Sequence, residues 1–415
     1  MNNQIREIAL AAKNALPVLA AASAAQKNAA LLAAADEIVQ NKQKILQANE
    51  RDLRSLKCSV PAPMRERMVL NEARVTAMAD GLKKIAQLPD PVGQILKTWT
   101  APAGFTIEKV TVPLGVLCVI YESRPNVTAD AAALCLKSGN TVILRGGADA
   151  FNSSFAIWEC LRDGLKKAGL PPECAQTVPD KSREAVGELL KLDDLIDVII
   201  PRGGKSLIER LSKETKIPMF KHLAGVCHTF VEKNADAGMA AKVVVNAKMR
   251  RTSICGATET LLLDKNLPTE SAKKVVDALI NSGCEVRGDA FVQTLNPKVK
   301  PAAETDWGTE YLDAIINAGQ VDGVAGAAAH IAKYGTAHTE SIITSDAAAA
   351  EKFLNSVDSA VVMHNASTQF CDGGEFGFGG EIGISTGRLH ARGPVALEQL
   401  VTFKYKVRGE GHVRK

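Results

Sequence analysis

The sequence predicts an α/β protein, with a doubly wound parallel sheet, a further α/β domain and a small hairpin. Three observations lead there. Short apolar runs that read as strands buried on both faces, Val116-Leu-Cys-Val-Ile120, Thr141-Val-Ile-Leu144 and Leu195-Ile-Asp-Val-Ile-Ile200, alternate with helical stretches. Two of them meet glycine turns that open helices, Arg145-Gly-Gly147 and Pro201-Arg-Gly-Gly204. Finally, 415 residues with 46% hydrophobic and 23% charged content are ordinary for a soluble globular chain with ample core. At ~150 residues per domain that length suits about two or three domains.

The first ~90 residues read as helices. Ser23-Ala-Ala-Gln26 fits a capping box, after which Leu31, Ala35, Ile38, Lys42, Ile45, Asn49, Leu53 and Leu56 fall on one helical face. Residues 15–25 have the small apolar character of a leader core. Glu7 and Lys13 precede them, however, and the helical pattern runs on, so they read as helix. A second helix is expected after Pro63, through Met68, Val75, Met78 and Leu82, until Leu88-Pro-Asp-Pro-Val-Gly93 stops it. Residues 98–100 and 105–112 flank the turn Pro102-Ala-Gly104 and read as a hairpin. Helices are then expected at 128–137, 155–168 and from Ser206, another α/β region over 227–385, and a closing strand at 402–405.

Composition excludes several functions. The net charge of +4 is carried by residues 404–415, with five basic side chains and one acid. The body is near neutral and lacks the basic face of a nucleic-acid reader. No apolar run approaches the ~20 residues that span a bilayer, so no membrane role is expected. Nine scattered cysteines show no Cys-x-x-Cys and no zinc spacing. They read as reduced thiols of a cytoplasmic protein, with no metal site.

Five segments carry possible chemistry. The turns 144–147 and 200–206 offer backbone N–H groups and helix starts to an anion. The second is not a P-loop, because Ile199 stands where that motif needs glycine. Cys255 follows Arg250 and Arg251 at a helix-to-strand junction, where cations favour a thiolate; one more buried thiol is the competing reading. Asn126 precedes a helix and serves as a cap or as an oxyanion donor. Residues 372–387 hold seven glycines, suited to close backbone approach or to a plain loop.

Taken in order, Pro113-Leu-Gly-Val116, Tyr121-Glu-Ser-Arg-Pro-Asn126, 136–147, Pro201-Arg-Gly-Gly204, Val357-Asp-Ser-Ala360 and Asn365-Ala-Ser-Thr368 resemble the aldehyde dehydrogenase superfamily. Residues 373–386 and Leu389-His-Ala-Arg-Gly-Pro394 narrow the resemblance to its gamma-glutamyl phosphate reductase family. The resemblance implies an NADP-binding domain over 1–225, with an oligomerisation hairpin at 97–112. A catalytic domain over 226–390 and a C-terminal oligomerisation strand with a basic tail over 391–415 complete it. It implies Cys255 as nucleophile, with Asn126 and the Cys255 N–H as oxyanion donors. NADP(H) would be held by Arg145, Gly146, Gly147, Gly203, Gly204, Lys205, Ser206 and, at the nicotinamide ribose, Glu310. Arg124, Arg251, His390 and Arg392 are candidates for the substrate, L-glutamyl 5-phosphate. A homo-oligomer, dimer or tetramer, and a partnership with glutamate kinase are further expectations.

Departures from the hydrolytic dehydrogenases are informative. Their glutamate base lies in a Leu-Glu-Leu-Gly-Gly block that here reads Lys221-His-Leu-Ala-Gly225. Exchanging a thioester with phosphate needs no base to activate water. The carboxylate that binds the ribose 2′-OH in NAD-preferring members is absent from Gly146-Gly-Ala148, which with Arg145 favours a 2′-phosphate. Gly256 stands where the reductases usually carry asparagine after the cysteine. A coenzyme A-dependent acylating dehydrogenase, a hydrolytic dehydrogenase and a non-catalytic nucleotide-binding protein are the competing readings.

Overall fold

The computed structural model describes residues 3–414 except 57–59, 61 and 123. Ser123 of the 121–126 block and Lys415 of the basic tail therefore lie outside the described residues. The chain divides into a first unit, 1–221 with 377–383 and 395–415, and a second, 222–376 with 384–394. The division falls at 221 rather than 225, and the C-terminal residues rejoin the first unit from 395. The cause is pairing: the C-terminal strand Val401–Arg408 runs antiparallel along residues 106–113, and Asn140 Nδ2 donates to Leu400 O at 2.8 Å.

The first unit begins with α1 (Asn3–Ala21), α2 (Ala24–Gln40), α3 (Lys42–Ser55), α4 (Ala62–Met68) and α5 (Glu72–Gln87). Ser23 Oγ caps α2 by accepting from Gln26 N–H at 3.2 Å. The apolar face crosses a break at Asn41, whose Nδ2 donates to Glu37 O and competes with the helix ladder. The helix expected after Pro63 is likewise divided. Asn71 caps α5 through Arg74 N–H, and Leu70 N–H donates to the buried Asn49 at 2.8 Å. Strands β1 (Ile95–Thr100) and β2 (Thr106–Pro113) pair antiparallel around Pro102-Ala-Gly104, where Gly104 takes φ +97°.

Next come β3 (Val116–Tyr121), α6 (Val127–Lys137), β4 (Thr141–Gly146), α7 (Phe151–Lys167), β5 (Ala175–Thr177), α8 (Arg183–Leu189), β6 (Val198–Arg202) and α9 (Lys205–Glu214). The sheet has order β5-β4-β3-β6 and every pair is parallel. The strand expected over 195–200 starts only at Val198. Leu195 and Ile196 close a turn onto Leu192 O and send their side chains into the core.

The second unit contains β7 (Cys227–Val231), α10 (Ala237–Met249), β8 (Thr258–Asp264), α11 (Thr269–Asn281), β9 (Glu285–Gly288), α12 (Ala290–Leu295), β10 (Lys300–Pro301), β11 (Ile315–Val321), α13 (Gly323–Tyr334), β12 (Thr339–Ile343), α14 (Ala347–Ser356) and β13 (Val361–His364). They form a parallel sheet of order β10-β9-β11-β8-β7-β12-β13. Successive side chains serve opposite layers: Val231, Leu261 and Leu263 pack with Val244 and Val275, whereas Phe230 and Leu262 pack with Ile331 and Phe353. Among the described residues, no helix is long and apolar enough to cross a membrane.

Candidate active site

Cys255 lies half-buried in the loop between α10 and β8, packed against Met363, Cys371 and Ile384. The loop is tied down on several sides. Gln369 Nε2 donates to Ala247 O at 2.7 Å and Arg251 O at 3.3 Å, and its Oε1 accepts from Arg250 Nε at 2.8 Å. Arg250, which sequence reading treats as a cation for the thiol, thus holds the loop. The Cys255 carbonyl accepts from the Cys227 thiol at 3.1 Å. Two glycines let neighbouring backbone close in: a Cβ on Gly225 would sit 2.1 Å from Cys255 O, and one on Gly256 would sit 3.2 Å from Thr368 O. An asparagine at 256 would press on that carbonyl, which rationalises the glycine here.

Two histidines stand beside the thiol. Cys255 Sγ and one nitrogen each of His222 and His338 all lie within 4.8 Å of one another. His222 Nδ1 donates to Ile384 O at 2.9 Å, since a carbonyl only accepts. His338 is buried, its Nδ1 lies 2.9 Å from Thr339 Oγ1, and its Nε2 has no hydrogen-bond partner. Burial pushes its imidazole down to about 3, so the ring is neutral.

Glu310 Oε1 accepts from Gly225 N–H at 2.9 Å and so braces the segment beneath Cys255. Its own loop is anchored where Leu312 (φ +54°) donates its N–H to Glu259 Oε1. Glu259 is fully buried with Lys248 at 2.6 Å, and burial pushes its carboxyl up to about 7.

In the first unit, Asn126 stands exposed at the start of α6 with helical angles, φ −61° and ψ −28°, and makes no capping bond. Its Nδ2 donates to Asp130 Oδ2 at 3.0 Å, which fixes the carboxamide along the helix. Burial pushes Asp130 up to about 6. Arg145, expected at the cofactor, is buried, and its terminal nitrogens donate to the carbonyls of Gly146, Lys181 and Ser182. It therefore ties the 181–182 loop to the end of β4. Gly146 meets the Tyr121 ring, where a Cβ would approach to 3.1 Å. Gly147 leads into a short 3-10 turn.

At the start of α9, a Cβ on Gly203 would lie 2.5 Å from Glu122 Oε2. The same carboxylate oxygen accepts from Gly204 N–H at 2.8 Å, and Lys205 and Ser206 are exposed. A helix start that holds a carboxylate oxygen on glycine backbone fits the diphosphate of a nicotinamide cofactor.

Of the substrate candidates, Arg124 is half-buried, whereas Arg251 and His390 are exposed, His390 with φ +66°. Arg392 is committed to Asp358, donating at 2.7 Å to Oδ1, while Arg388 takes the other carboxylate oxygen. His338 and Gln369 carry no motif that marks them in the sequence, and His222 stands out there only as part of the altered base block.

The aldehyde dehydrogenase family model matches residues 1–297. The chain is 56% identical to the gamma-glutamyl phosphate reductase of Paramagnetospirillum magneticum, over 97% of this chain and 96% of that one. It is 53% identical to the reductase of Brucella anthropi, over 98% and 96% respectively. The solved structure of the Thermotoga maritima gamma-glutamyl phosphate reductase superposes with a TM-score of 0.96 at 41% identity, covering 99% of this chain and all of that one. The chain belongs to the aldehyde dehydrogenase family and, within it, to the gamma-glutamyl phosphate reductases.

Proposed function

We propose that this chain reduces L-glutamyl 5-phosphate to L-glutamate 5-semialdehyde with release of phosphate, a step of proline synthesis, using NADPH and a thioester on Cys255. One observation supports the chemistry above others. The block Lys221-His-Leu-Ala-Gly225 runs beneath the Cys255 backbone, with Gly225 against the Cys255 carbonyl. It brings an imidazole there and no glutamate base.

The Cys255 thiolate attacks the acyl carbon, and the oxyanion is stabilised by the Asn126 carboxamide and the Cys255 N–H. The carbonyl re-forms as phosphate departs with the electron pair of its C–O bond. NADPH, when bound, supplies the hydride that reduces the thioester. Collapse of the thiohemiacetal returns the thiolate and frees the aldehyde.

Gly203, Gly204, Lys205 and Ser206 would hold the cofactor diphosphate, with Gly146 and Gly147 binding the same cofactor. Glu310, braced by Gly225 N–H, would hold the nicotinamide ribose. Preference for the 2′-phosphate follows from the lack of a carboxylate in Gly146-Gly-Ala148. It is helped by Arg145, which draws the backbone of Lys181 to the end of β4. Arg124, Arg251 and His390 would serve the glutamate carboxylate, and Arg392, paired with Asp358, is the fourth candidate.

The three-stranded sheet β1-β2 and Val401–Arg408 exposes Ile95, Leu96, Phe403, Tyr405 and Val407, an apolar surface suited to a dimer or tetramer. Glutamate kinase is the partner that would deliver the labile acyl phosphate.

The test runs the reaction backwards. NADP⁺ and glutamate semialdehyde are mixed with the protein, with and without inorganic phosphate. Nicotinamide reduction that requires phosphate is expected. Reduction without phosphate would replace this reading with hydrolysis, and reduction that requires coenzyme A would replace it with an acylating dehydrogenase.

A further inference from the structure

We propose that His222, Cys255 and His338 form a three-ligand site for a thiophilic divalent cation, Zn²⁺ above others, that reversibly caps the Cys255 sulfur. The three side chains come from separate parts of the second unit: the segment before β7, the loop before β8 and the residue before β12. Their candidate ligand atoms nevertheless lie within 4.8 Å of one another. Zn–N bonds of about 2.0–2.1 Å and Zn–S of about 2.3 Å put tetrahedral ligand atoms roughly 3.3–3.7 Å apart. Side-chain rotations of about an ångström close the gap.

The donor set is imidazole and thiolate, which suits zinc and its soft neighbours and disfavours magnesium or calcium. His338 is the second, independent sign. It is 0% exposed, its Nδ1 is engaged by Thr339 Oγ1, and its Nε2 has no partner, so a neutral imidazole nitrogen sits buried with nothing to bond. A metal ion satisfies such an atom. His222 carries the backing found in metal-ligating histidines, since Nδ1–H donates to the Ile384 carbonyl at 2.9 Å and orients the ring. Water completes the fourth position. The step balances: the Cys255 S–H bond breaks, an S–Zn bond forms and the proton passes to solvent.

Because a capped sulfur cannot attack an acyl carbon, zinc occupancy and turnover exclude each other. That consequence rests on Cys255 being the nucleophile; the metal site itself does not. The experiment titrates Zn²⁺ alone into the full chain by calorimetry. In parallel, Co²⁺ is added as a spectroscopic probe, and turnover is followed with Zn²⁺ and after chelator. Expected are one Zn²⁺ per chain at this site, a thiolate-to-cobalt charge-transfer band, and inhibition that chelator reverses and Mg²⁺ does not reproduce. Cys255→Ser removes the band. His222→Asn weakens zinc by at least about tenfold, the scale of losses on disturbing a zinc site. His338→Asn alters a buried position, so the two other variants carry the result if it folds poorly.

Zinc affinity unchanged in both Cys255→Ser and His222→Asn, or cobalt bound without the band, overturns the site. A band that depends on these residues while turnover continues supports the site and removes the nucleophile reading instead. No band, with turnover still abolished by alkylation of Cys255, overturns the site and leaves that reading standing.

Discussion

The glycine turn at α9 follows its strand, whereas the Cys255 loop precedes one, and the two are held quite differently. The turn is open: Gly203, Gly204, Lys205 and Ser206 are all exposed, and Gly204 N–H ties it to Glu122. It needs little more, because a helix start supplies aligned N–H groups by itself. The loop has no such source of order. It is fastened by Gln369, by the Cys227 thiol and by close packing at Gly225 and Gly256. A large cofactor shares its binding energy over many contacts, but bond formation at one sulfur demands placement within about half an ångström. The contrast predicts that changes in the open region alter function alone, while changes around the loop alter function and stability together.

The largest expected effect is Cys255→Ser, with turnover down on the order of 10³-fold or more and NADPH binding retained by fluorescence titration. Activity within tenfold of the parent would remove the nucleophile assignment. Next is Lys248→Met, which strands Glu259 in the core beneath the Glu310 loop at a cost of about 3–5 kcal/mol. Glu259 already has its carboxyl raised from 4.5 to about 7 by burial, so its neutral form is favoured in the fold. Without Lys248, whose charge and hydrogen bond hold that carboxyl down, it rises further, so the penalty grows with pH through and above 7 and shrinks as the pH falls toward the unfolded value. Denaturation at both ends of that window checks the sign. A variant equally unstable across it would deny the stranded charge.

Asn126→Ala, at the equally exposed start of α6, should lower kcat by about 10²–10³, as for loss of one oxyanion donor, with little change in Tm. A large fall in Tm with kcat preserved would reverse the contrast. Gly256→Ala comes next. Its new Cβ meets Thr368 O at 3.2 Å, so overpacking of about 1–3 kcal/mol and a measurable fall in kcat should appear together. A variant neutral in both would show that the loop gives way easily.

The sequence carries these regions unequally. The strand–turn–helix texture around 116–147 and 198–214 is local, so apolar runs and glycines reveal it, as Pro102-Ala-Gly104 reveals the hairpin. The breaks at Asn41 and Asn71 are hidden because one side chain, bonding to backbone, outweighs an apolar face that continues past it. The apolar run that predicts β6 begins three residues early, since Leu195 and Ile196 are buried as thoroughly in a turn as in a strand. At the site, the adjacent arginines mark Cys255 in the sequence, yet Arg250 turns to Gln369. His222 and His338 lie far apart in sequence and meet only through the order of strands β7, β8 and β12, which no spacing rule reports.

The smallest effect sets a bound on the contrast, because at Asp130, half-buried in α6 beside the exposed Asn126, it changes stability without touching the chemistry. Burial raises the Asp130 carboxyl from 3.8 to about 6, against the pull of the Asn126 amide and of Arg202. The folded state therefore binds more protons than the unfolded one between those values. Stability declines as pH rises through that window, and the full penalty is present above about pH 6. Asp130→Asn removes the charge and keeps an oxygen that accepts from Asn126 Nδ2. It should stabilise by about 1 kcal/mol at neutral pH, or roughly 2–4 °C in Tm, with turnover preserved. The gain should fade toward pH 4, where the parent carboxyl is also neutral. A gain that persists there would place its origin in packing. A loss of turnover alongside it would mean that the Asp130 charge, and not the Asn126 orientation it fixes, serves the reaction.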